Sequence, residues 1–202
     1  MTTYTSLLPK TGQTTSYVTG DDGDLEKGAA RSFTVLNTGQ YSGTTEITLA
    51  GASENHTNNC VLDNVTGLMW QKAIAGTIGA DDGKGGRTNY FPWTTNGSGI
   101  GLWTYLAAAN AANLSGHNDW RIPNILEGRS IINGETGYAF SEFTDAPQFW
   151  SSSSVSITGA YYINSFGGSS FAKTDVYFVL LVRGDPQAPA GGGGSLIGGN
   201  IS

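Results

Sequence analysis

The strongest constraint on this chain is that one stretch alone, Gly101 to Leu114, carries a sustained helical signal, while most other ordered-looking segments are short and β-like. Leu102, Leu106, Ala109 and then Asn113 or Leu114 recur at helical spacing, and alanine, the strongest helix former, dominates the stretch. Ser115-Gly116 is placed to end it. A second, shorter helix is expected after Pro123, with Asn124 as its cap and Glu127 completing a capping box, although Gly128 weakens it. Strand signals are Arg31–Leu36, Thr44–Leu49, a hairpin running from Cys60 through an Asp63–Gly67 turn to Trp70, Phe149–Ser153, and Ala160–Phe166. Thr174–Arg183 holds the longest apolar run and predicts a central strand. The fold class expected is α+β, two short helices packed on twisted antiparallel strands with long loops.

Glycine supplies 30 of the 202 residues, and Ser, Thr and Asn are abundant beside it. That polar but uncharged bulk predicts many loops. We expect three segments: an irregular, β-rich N-terminal extension over 1–54 packed on the main domain, the main domain over 55–184, and a Gly/Pro-rich tail over 185–202 that supplies no core. Gly76–Gly101 reads as a long loop with an aromatic knot at Tyr90-Phe91-Pro92-Trp93. Ten basic against sixteen acidic residues leave a net charge of −6 with no Lys/Arg run, so nucleic acid and anionic membranes are poor partners. No segment approaches the apolar length needed for membrane insertion. The N-terminus lacks the charged and apolar regions of a signal peptide, which suggests cytosolic synthesis and, for a surface protein, release within a virion.

Catalytic chemistry finds little footing. Cys60 is the only cysteine, excluding an intramolecular disulfide and a thiolate zinc cluster. A hydrolytic triad needs histidine; His56 and His117 are the two available, both expected as surface loop residues, and no Gly-x-Ser-x-Gly elbow is present. The acidic run Asp21–Glu26 invites a calcium reading, but counting from Asp22, Lys27 stands where an EF-hand loop needs Gly and Phe33 where it needs Glu. An acidic turn is the expectation there. Asp81–Gly86 has the glycines of a phosphate loop but Gly85 follows Lys84 where Ser or Thr belongs. Arg183-Gly184-Asp185 spells an integrin-type tripeptide, read here as a strand end entering the tail. The expectations are no enzyme, no metal and no cofactor.

One ordered series does carry family information: Asp63-Asn-Val-Thr-Gly-Leu-Met-Trp70, the alanine-rich helix, Gly116-His-Asn-Asp-Trp-Arg-Ile-Pro-Asn124, Phe149-Trp-Ser-Ser-Ser153, and Val182-Arg-Gly184. The series resembles the Lcl C-terminal domain family, named for the C-terminal domain of a collagen-like adhesin. The resemblance implies a C-type-lectin-like fold, occurrence in surface adhesins and in phage tail or fibre proteins, and a homotrimer. It therefore implies a binding or display module: a phage virion component such as a receptor-binding tip or a head or tail decoration protein, or alternatively an extracellular adhesin on a bacterial surface binding glycan or matrix. An unrecognised enzyme is the reading of another class. The calcium-dependent sugar motifs of true C-type lectins are missing, and the net negative charge disfavours sulfated polysaccharide.

Within the motifs, Trp70, Trp120 and Trp150 are expected in the core, and Asp119 and Arg121 as an ion pair bracketing Trp120. Aromatic side chains on loops that the core does not need are the ligand candidates: Tyr90, Phe91 and Trp93, and Tyr161, Tyr162, Asn164 and Phe171 near the C-terminal strands. The expected partners are other copies of the chain, further virion or surface proteins reached through 185–202, and a cell-surface glycan or protein receptor.

Overall fold

The computed structural model describes residues 8–49, 52–72, 90–94, 100–133, 135–138, 148–164 and 167–184. The expected tail and most of the Gly76–Gly101 loop lie outside them. In chain order the elements begin with α1 (Asp22–Leu25), β1 (Phe33–Leu36), β2 (Thr44–Leu49), β3 (Ala52–Thr57), β4 (Cys60–Asp63), β5 (Met69–Gln71) and β6 (Tyr90–Pro92). They continue with α2 (Leu102–Ala111), α3 (Ile125–Ser130), β7 (Ile132–Asn133), β8 (Gly137–Tyr138), β9 (Gln148–Ser154), β10 (Gly159–Asn164), β11 (Ser169–Ala172), β12 (Val176–Phe178) and β13 (Val182–Arg183). The chain is α+β, with strands in several sheets and few helices.

Two larger sheets carry it, one ordered β1-β4-β5-β13 and the other β11-β10-β9-β12-β6, beside the two-stranded pairs β2-β3 and β7-β8. All pairings are antiparallel except that β12 runs parallel to β9, with Phe178 opposite Phe149. The expected central strand over Thr174–Arg183 is instead divided. Val176–Phe178 belongs to the five-stranded sheet and Val182–Arg183 to the four-stranded one, so this segment joins the two sheets. Successive residues along it enter opposite cores: Val179 and Leu181 pack with α2, and Phe178, Leu180 and Val182 with Ile131 and Ile132. An unbroken apolar run is what a chain buried on both faces requires.

The same alternation recurs along other strands of the two larger sheets. Phe91, Trp150, Tyr162, Met69 and Cys60 enter the core under α2, while Tyr90, Phe149, Ile163, Trp70 and Val61 enter the second. Side chains of consecutive strand residues point to opposite faces, so each pair serves both cores at once. Tyr90-Phe91-Pro92, read from sequence as a loop knot, is therefore a core strand. Alanine suits α2 because its buried face of Leu102, Tyr105 and Ala109 packs directly on β2 and β6.

Helix α3 begins as expected: the Asn124 side chain accepts from the Leu126 and Glu127 amides, and Glu127 accepts from the Asn124 amide at 2.9 Å. Gly128, a poor helix former, has a reason to be there. A Cβ on it would sit 2.6 Å from Ile163 Cδ1, so glycine lets α3 lie directly on β10. Towards the N-terminus, the Arg31 guanidinium donates to the carbonyls of Lys10, Ser130 and Ile132, tying residues before β1 to the end of α3.

Candidate functional site

Two polar and aromatic groupings stand out, and they are built in opposite ways. The first is the motif loop between α2 and α3. Trp120 is buried and its indole N–H donates to the Leu114 carbonyl at 2.8 Å; the Asn110 side chain caps both its amide and its carbonyl. Trp70 and Trp150 are likewise buried, and Trp150 donates to the Phe91 carbonyl at 2.8 Å. The expected Asp119–Arg121 pair is replaced by two separate ones. Both Asp119 oxygens accept from Arg183, at 2.7 and 2.9 Å, and both Glu127 oxygens accept from Arg121 at 2.7 Å. The Arg121 amide and carbonyl pair with Val182, which sets this segment beside β13, so that Asp119 meets Arg183 of that strand while Arg121 meets Glu127 of α3. Arg121 also donates to the Gly184 carbonyl. The result is a brace fixing the loop to β13 and α3.

The brace accounts for other expectations. Arg183, the first residue of the Arg-Gly-Asp run, is held by Asp119, whose carboxyl is kept below the ordinary aspartate range chiefly by that hydrogen bond. His117 is half-buried, its Nε2 lying 3.1 Å from the Tyr41 hydroxyl and 3.3 Å from the Gln40 amide, its ring edge-on to Trp120. Burial, and then the neighbouring Arg183, lower its pKa. His56, expected on a surface loop, is instead buried in β3 with its ring 5.7 Å from that of Tyr105, and burial lowers its pKa. Its strand, Ala-Ser-Glu-Asn-His-Thr, is too polar to announce itself. Cys60 is fully buried, which pushes its thiol up to about 11 and suppresses the reactive thiolate. In the acidic run, Asp21 accepts from the Tyr17, Val18 and Asp24 amides and Asp24 from that of Gly20: the geometry is a capped turn.

The second grouping is an aromatic shelf on the α2 face of the five-stranded sheet. Tyr162 and Tyr177 stack nearly parallel with centroids 4.7 Å apart, Trp150 meets Tyr177 edge-on at 4.9 Å, and Phe171 closes on both tyrosines at 5.3 and 5.6 Å. Towards α2, Trp93 meets Trp103 edge-on at 5.0 Å and donates its indole N–H to the Ser151 carbonyl. The Lys173 ammonium lies over Trp93, 4.1 Å from the ring centre. Phe171 is 46% exposed and Trp103 38%, and beyond them the turn between β9 and β10 presents Val155 and Ile157.

Of the sequence-derived candidates, the shelf gathers Trp93, Tyr162 and Phe171, with Asn164 donating to the Tyr162 hydroxyl at 3.4 Å. It does not gather the others. Tyr90 and Phe91 are buried core residues, and Tyr161 points to the opposite face of β10 from Tyr162. Sequence reasoning missed Trp103, Lys173 and Tyr177. Trp103 sits just off the buried stripe of α2, which is a usable sign of a ring left for solvent. Lys173 follows Phe171-Ala172 in a chain with few cations, while Tyr177 is concealed inside an apolar run.

A family model described as the Lcl C-terminal domain matches residues 59–183, well over half of the chain. No curated protein matches it.

Proposed function

The chain belongs to the Lcl C-terminal domain family, and from that premise we propose that it is a non-catalytic binding and display module of C-type-lectin-like architecture, carried on a multimeric surface assembly. The first candidate for that assembly is a phage virion, as a receptor-binding tip or decoration; a bacterial surface adhesin is the second. The observation that carries the binding reading is the contrast between the groupings above. The motif carboxylates and guanidiniums are engaged with one another, whereas the rings of the shelf reach solvent at Phe171 and Trp103. Exposed rings beside a cation serve recognition, since flat apolar surfaces bury well against a partner at low entropic cost.

The test is adsorption of the purified chain to whole bacterial cells, with light scattering to give its oligomeric state. A trimer that adsorbs, and loses adsorption on Phe171→Ala and Trp103→Ala, supports the reading. A hydrolytic or redox turnover abolished by His117→Ala would overturn it.

A further inference from the structure

Among the described residues the β2–β3 pair is a two-stranded sheet of its own, with no ladder to either larger sheet. Along β2 the less exposed Thr45, Ile47 and Leu49 alternate with the exposed Thr44, Glu46 and Thr48, and the strand packs on α2 and on the Leu114–Gly116 turn. Lifting the pair away therefore breaks side-chain packing and leaves both larger sheets intact. His56 stands opposite Thr45 on the inward side of this hairpin. Its side chain is 5% exposed, its ring lies 5.7 Å from that of Tyr105 on α2, and its Nε2 meets no hydrogen-bond partner among the described residues. A neutral imidazole is tolerated there. Once protonated it carries two N–H donors and a full charge, and a buried charge without a partner is far costlier than a buried neutral ring.

The described side chains on the elements packed about His56 supply no counter-charge. Helix α2 and the Leu114–Gly116 turn contain no charged residue, and Tyr105 brings a phenol. Glu46 on β2 is exposed and stands opposite Asn55, one step off in the alternation. On β4 the Cys60 thiol keeps its proton up to about 11, and His117 beyond α2 is itself a base, held against Tyr41. Glu54 lies two residues back on the same strand, in register with Ile47. We propose that His56 is an acid-sensitive latch: protonation of its imidazole releases the β2–β3 hairpin from α2, uncovering Ile47 and the Leu102, Tyr105 and Ala109 stripe of the helix, while the larger sheets stay closed. This device is independent of what the shelf binds. Its sign follows from burial, which lowers the imidazole below its ordinary value of 6.5. Above that value the ring is neutral in the closed and open forms alike and the latch holds in full. As pH falls below 6.5 the open form takes up a proton that the closed form refuses, so the opening equilibrium rises, by up to about tenfold per pH unit, until the lowered value of the closed form is reached. A module built this way is shut at neutral pH and presents an apolar face in acid.

The experiment follows amide hydrogen exchange of the whole chain by NMR from about pH 7.5 to about pH 5, corrected for the intrinsic exchange rate, together with ring titration of both histidines. Expected is a loss of protection over β2 and β3 that approaches about tenfold for each pH unit below 6.5, with β9 and β10 unmoved. His56→Gln should abolish this response, and His117→Asn and Glu54→Gln should keep it. If His56→Gln does not fold, the unaltered chain still decides, because the His56 ring must titrate below 6.5 and the hairpin must open before the larger sheets. Hairpin protection that is indifferent to pH, an equal loss over β9 and β10, a response removed by His117→Asn, or a His56 ring titrating at 6.5 or above each overturns the proposal. A response that first appears in Glu54→Gln means that this carboxylate neutralises the imidazolium in the unaltered chain, and the latch falls with it.

Discussion

The brace around Trp120 and the shelf around Lys173 use similar materials, tryptophan beside cationic side chains, to opposite ends. In the brace each cation meets a carboxylate in two-point geometry and the buried indole has a carbonyl. In the shelf the cation meets a ring and two aromatic residues remain in water. Polar groups that are fully satisfied fix a structure; groups left incomplete are available to something else. The motif that identifies the family therefore explains how this domain holds together, and the proposed binding is assigned to the shelf beside it.

The largest effect should come from removing a core ring that the two regions share. Trp150 is fully buried and hydrogen-bonded to Phe91, so Trp150→Ala is expected to destabilise the chain by about 3–5 kcal/mol in urea unfolding. Phe171→Ala, at the exposed rim of the same cluster, should cost about 1 kcal/mol or less. Similar losses at the two positions would mean that the shelf is simply core.

Glu127→Ala attacks the brace at its buried end. It removes half of the α3 capping box and strands Arg121, a loss of about 2–3 kcal/mol once the partial exposure of Arg121 is allowed for. Thermal denaturation by circular dichroism reads it, and a change below about 0.5 kcal/mol would show that the brace is ornamental. Lys173→Met sharpens the contrast from the other side. Methionine keeps the apolar stem and removes the charge from over the Trp93 ring, so stability should change by no more than about 1 kcal/mol. Destabilisation by as much as Glu127→Ala would instead place Lys173 among the structural residues.

How far the sequence reveals each region follows from the same physics. The brace was legible in outline because its parts are local: Asn124 and Glu127 lie three residues apart, and a capping box is read from spacing alone. Its pairings were not, because Asp119 finds Arg183 across 64 residues and the choice over Arg121 depends on a bridge to β13. Strands buried on both faces were visible as apolar runs, but nothing local says that Thr174–Arg183 is divided between two sheets. Polar β3 went unseen because a strand with one face in water and a histidine inward carries no apolar pattern. The shelf was half legible. Trp93, Tyr162 and Phe171 could be named as rings in unexpected places, whereas Lys173 acquires meaning solely from its position over Trp93.

The smallest effect separates the outer half of the brace from the inner. Asp119 is more than half exposed, so its pair with Arg183 is worth under about 1 kcal/mol, and Asp119→Asn should lower stability by no more than that at neutral pH. Its pH dependence has a fixed sign. The carboxyl titrates below its ordinary value of 3.8 in the folded chain because Arg183 hydrogen-bonds the ionised form. The stabilisation is thus fully present above that ordinary value and disappears as pH falls through the lowered one. Urea unfolding of both chains from pH 7 down to about pH 2 should show two stability curves that are parallel above pH 5 and converge in acid. A gap that instead changes as pH first falls through the ordinary imidazole value of 6.5 would point to the His117 side of the loop, whose folded value lies lower, and the outer pair would then be a consequence of the brace without holding it.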